Sequence, residues 1–103
     1  MELYAWKPAG QDWRFSLIFG TNRTKRLAEI TSPEYTVVGM NDLKRKLSAL
    51  AVGEWVTLSN SPGLIDERDR RAWSNLARES VTPEMVRDLS DYCTSLGIKL
   101  QAP

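Results

Sequence analysis

At 103 residues, with 42% apolar and 26% charged side chains, the chain has the size and composition of one globular domain, 1–103, able to bury a core without metals or disulfides. A single cysteine excludes an internal disulfide, and the lack of histidine excludes a His-based triad and the commonest metal ligand. The net charge of +1 names no partner, but 1–50 holds eight basic against five acidic residues and 51–103 six against eight, so the basic clusters fall mostly in the first half. No apolar run reaches membrane-span length, and the N-terminus lacks a signal-peptide pattern. The expectation is a cytoplasmic protein with no membrane contact.

Glu2–Lys7 reads as a first strand, with Leu3 and Ala5 on one side and Tyr4 and Trp6 on the other. The turn-forming Pro8–Asp12 leads into Trp13–Gly20, where Trp13, Phe15, Leu17 and Phe19 fall at every second position with Arg14 and Ser16 between them. That alternation predicts a half-buried strand, taken as the centre of the sheet and joined to the first strand as an antiparallel hairpin. A short helix follows before Pro33, with Leu27 and Ile30 on one face and Thr21, Asn22 or Thr24 as its cap. Glu34–Gly39 is a short strand.

Asn41–Ala51 is a helix capped by Asn41, with an apolar stripe at Leu43, Leu47 and Leu50 and a stop at Gly53. Glu54–Ser59 is a strand, and Asn60–Gly63 a turn. Asp66–Glu79 reads as a third helix, supported by acid-first pairs Asp66/Arg70 and Glu67/Arg71 and by an apolar patch around Trp73 and Leu76. The last helix is marked by Thr82 as cap, Pro83 at its first position, and a stripe of Met85, Leu89, Cys93 and Leu96. Gly97 ends it, and Ile98–Gln101 forms a final strand. These elements predict an α+β fold: a two-layer sandwich with a hairpin-led mixed sheet of four to five strands and two to four helices packed on one face.

Chemistry is sparse in this sequence. Cys93 lies on an apolar helix stripe, which reads as a buried structural cysteine. Asp66, Glu67 and Asp69 have the oxygen ligands for a hard cation, and so for a metal-assisted hydrolase, but Arg68, Arg70 and Arg71 among them suit salt bridges instead. No phosphate loop with a Gly-Lys-Ser/Thr ending exists, and no cofactor is expected. Gly20–Arg26 is the nearest thing, a glycine followed by Arg23, Lys25 and Arg26 ahead of a short helix, with the composition of an anion site.

With Lys44, Arg45 and Lys46, those cations form a basic set to which a phosphate backbone would bind. If the sheet face away from the helices is open, it presents Tyr4, Trp6, Arg14, Ser16, Trp55, Thr57 and Lys99, a platform on which single-stranded bases could stack. The leading functional expectation is a non-catalytic module acting by contact with a protein partner or by self-association, because aromatic residues on strands anchor interfaces well. Nucleic-acid binding through Tyr4, Trp6, Trp55 and the six cations is the alternative.

Overall fold

A computed structural model describes residues 1–20 and 23–102. The expected hairpin is present: β1, Glu2–Trp6, pairs antiparallel with β2, Arg14–Ile18, placing Leu3 opposite Leu17 and Tyr4 opposite Ser16. β3, Thr36–Val38, adds antiparallel to β2. β4, Trp55–Leu58, and β5, Lys99–Gln101, add parallel on the other side, giving the order β3-β2-β1-β4-β5.

The central strand is therefore β1, not β2. Its sequence carries apolar groups on both faces, as a strand covered on both sides requires, and all five of its residues are buried. β2 stops at Ile18, one residue short of Phe19, which is 69% exposed instead of continuing the apolar face.

Among the described residues, four α-helices accompany the sheet: α1, Leu27–Ile30; α2, Met40–Ser48; α3, Arg70–Leu76; and α4, Pro83–Ser95. α2 begins ahead of Asn41, so Asn41 is not its cap. Gly39 precedes the helix at φ +84°, and the Asp12 carboxylate lies 3.0 Å from where a Cβ on Gly39 would stand. The expected helix over 66–79 is divided, with single 3₁₀ turns at Pro62–Leu64 and Glu67–Asp69 before the seven residues of α3. α4 matches its signals closely. The Thr82 hydroxyl accepts from Met85 N–H at 3.2 Å. After the helix, Gly97 N–H donates to Thr94 C=O and Ile98 N–H to Cys93 C=O, closing the left-handed terminator.

α2 and α4 pack on one face, where Leu43, Leu47, Leu89 and Cys93 meet Leu3, Ala5, Phe15, Leu17 and Val56. This is the α+β sandwich that the periodicities imply. The opposite face is covered above β1 and β2. There Tyr4, Trp6 and Ile18 pack under Ile30, Ile65 and Trp73, and the Trp73 ring meets Tyr4 and Trp6 edge-on at 6.0 and 6.1 Å.

Candidate functional site

Each of the six cations singled out in the sequence is already engaged inside the chain. Arg23 pairs with Glu29, and Lys25 with Glu2. Arg26 grips Asp69 through two guanidinium nitrogens at 2.7 and 3.3 Å. Lys44 donates to both Asp88 oxygens at 3.0 Å, Arg45 to Asp42 at 2.9 Å, and Lys46 to the Tyr35 carbonyl at 3.2 Å. Of the expected anion loop, Thr21 and Asn22 lie outside the described residues.

The aromatic platform is divided too. Tyr4 and Trp6 are 0% and 4% exposed, so neither presents a ring to a base. The expectation of an open face fails at these two because the segment 60–76 returns over β1 and lays Trp73 on them. Trp55 does remain 51% exposed, with Lys99 Nζ 5.0 Å from its ring centre.

Beneath α1 lies a buried polar cluster that sequence reasoning missed. Lys25 is 0% exposed, its ammonium meets Glu2, and Tyr4 OH donates to the same Glu2 carboxylate at 3.3 Å. Burial pushes the Tyr4 pKa from 10.0 up to about 12, with the Glu29 charge adding to the rise and Arg23 opposing it. Ser16, directly across from Tyr4, is also fully buried. A polar residue alternating with apolar ones on a central strand, as Glu2 does, is the sequence signal for such a cluster.

The acidic cluster is occupied by arginines. Asp66 accepts from the Arg68 backbone and side chain, which hold its pKa down at about 2. Asp69 is held below its ordinary value by Arg26 and by the backbone N–H of Leu27, which it caps at 2.9 Å. Among the described residues, no group of three or more acidic or cysteine side chains is placed to hold a metal ion. Cys93 is buried, and burial raises its pKa.

Two open concavities lie elsewhere, outside the carboxyl ends of β1, β4 and β5. After β1 the chain turns toward β2, and after β4 the segment 60–76 crosses back over β1 before α4 leads to β5, so these concavities lie at the ends of adjacent parallel strands. Asn60 bridges to β1 here: Ala5 N–H donates to Asn60 Oδ1 at 3.1 Å, and Asn60 Nδ2 donates to the Ala5 carbonyl at 3.2 Å. One cleft of about 540 Å³ is walled by Asn60, Trp73, Arg78 and Glu79. A second, of about 520 Å³, is walled by Val86, Arg87, Ser90 and Asp91. Leu58 and Val81 line both, so the two join as one trench. Below it, a narrow slot lined by Leu58, Val81, Val86 and Leu100 runs toward the core. The trench was not foreseen because it depends on strand order, which periodicity does not supply.

Comparisons with protein-family models, curated proteins and solved structures found no match to this chain.

Proposed function

We propose that the chain is a non-catalytic binding module whose working surface is this trench, occupied by part of a protein. The observation that supports the reading is the anatomy of the trench: an apolar floor of Leu58, Val81 and Val86 between polar and charged walls, the composition of a protein-contact patch.

The nucleic-acid reading loses Lys25, which is buried against Glu2, and Tyr4 and Trp6, which are covered, while Arg23, Arg26, Lys44 and Arg45 share their charge with acidic partners in solvated pairs and Lys46 donates to the Tyr35 carbonyl. A photo-crosslinking amino acid in place of Val86, expressed in cells, tests the proposal against the same amino acid in place of Ala72 on an exposed part of α3. The expected result is a discrete protein adduct from Val86 and none from Ala72. Absence of any adduct at Val86 overturns it.

A further inference from the structure

We infer that the cover over Tyr4 and Trp6 is a lid. Residues 23–30 and 62–76 let go of the sheet together while the layer of α2 and α4 stays folded, and the lid carries one wall of the trench, a role that rests on the docking reading above.

The two stretches are tied to each other. Lys25 N–H donates to the Leu64 carbonyl at 3.1 Å, and Asp66 N–H to the Lys25 carbonyl at 2.9 Å. Asp69 accepts from Leu27 N–H and from Arg26. Neither α1 nor a single 3₁₀ turn stays wound by itself, so neither stretch keeps its shape once the other has gone. What favours opening lies underneath. Among the described residues, the buried side-chain polar atoms without a hydrogen-bond partner are Ser16 Oγ and Lys25 Nζ. Ser16 stands across from Tyr4 on the covered face, and Lys25 is buried there against Glu2. A polar atom without a partner costs free energy only while it is dry, so opening the lid returns that cost by admitting water. Opening α2 and α4 returns nothing of the kind, because the core beneath them is apolar.

The lid also borders the trench. Trp73 and Ser74 help to wall one cleft, whereas Val86, Arg87, Ser90 and Asp91 of α4 wall the other. Trp73 Nε1 donates to the carbonyl of Asn60, which is held in turn on Ala5. An occupant spanning both clefts binds the closed form alone and so holds the lid shut.

Native-state hydrogen exchange at neutral pH is the test, read at the N–H groups of Lys25, Ile30, Asp66 and Ala77 for the lid and at those of α2 and α4 for the rest. The expected result is one shared protection for the lid groups, about a hundredfold below that of α2 and α4. Thr82→Ala supplies the contrast. Thr82 caps α4 whether the lid is open or shut, so its loss lowers protection in α2 and α4 about fivefold and leaves the lid groups unchanged. Equal protection in both layers, lid groups that differ widely among themselves, or a fall at the lid groups in Thr82→Ala each overturns the lid. The purified Val86 adduct tests the wall: its lid groups should exchange about tenfold more slowly than those of the free chain, and an adduct without that effect overturns the wall. Absence of an adduct overturns the docking reading and the wall with it, while the lid is still decided by exchange in the free chain.

Discussion

Lys25 carries its charge inside the protein, and Glu2 is the carboxylate that makes this tolerable. Removing one member of such a pair leaves the other buried and uncompensated, which costs about 3–5 kcal/mol, whereas replacing both by apolar groups of similar size is close to neutral. Glu2→Gln is therefore expected to destabilise the fold by about 3–5 kcal/mol, and Glu2→Leu with Lys25→Met to recover most of the loss, both read by urea denaturation. Tyr4 provides a second measurement at the same place. Its hydroxyl titrates at about 12 when folded, against 10.0 for a free tyrosine. The folded state thus keeps a proton that the unfolded chain releases. The stability this gives is fully present below 10.0 and is lost as the pH rises through about 12. Ultraviolet titration should resolve one late tyrosine that disappears in Tyr4→Phe; a titration unchanged by that substitution contradicts the assignment.

At the scale of elements, the chain announced what is local and hid what is distant. α4 was legible because Thr82, Pro83 and Gly97 act within a few residues of the turns they start and stop. Thr82→Ala is expected to cost about 1 kcal/mol and to lower Tm by roughly 4–8 °C, measured by thermal unfolding. The strands were legible from alternation at Leu3, Ala5, Phe15 and Leu17. The roof over Tyr4 and Trp6 was not, because Trp73 reaches them from the far half of the chain, and no period in β1 names the residue that will cover it. Even so, β1 held a clue in being apolar on both faces. The start of α1 was hidden for the same reason. Among the described residues, none of its neighbours in sequence, Thr24 included, caps it; Asp69 does, from 42 residues away. The trench needed the strand order as well as the elements, so none of its walls could be assembled from the sequence.

In the whole molecule the two faces of the sheet are held differently. One is packed by α2 and α4, of nine and thirteen residues; the other by α1 and α3, of four and seven, with single turns between. The second face also relies on carboxylates, Asp69 with Arg26 and Asp66 with Arg68. Both acids titrate below their ordinary 3.8 in the fold, so the stability that they lend is present above that pH and is lost as the pH falls through the folded values, about 2 for Asp66. As the pH falls from 3.8 toward about 2, hydrogen-exchange protection is expected to drop over 23–30 and 62–76 while α2 and α4 stay protected. Uniform exchange across both faces would show that they open together.

The cap that Asp69 places on α1 has a consequence in time. A four-residue helix cannot persist alone, and this one lacks its first hydrogen-bond acceptor until residue 69 has arrived. Lys25 waits as well, because its backbone is bonded on both sides to the strip at Leu64 and Asp66. On a growing chain, residues 23–30 must therefore remain without their final structure through the synthesis of β3, α2 and β4, and close over β1 only afterwards. The hairpin and the α2 side are free to form first. Asp69→Ala should accordingly speed unfolding and leave the folding rate almost unchanged, a φ-value near zero in stopped-flow measurements.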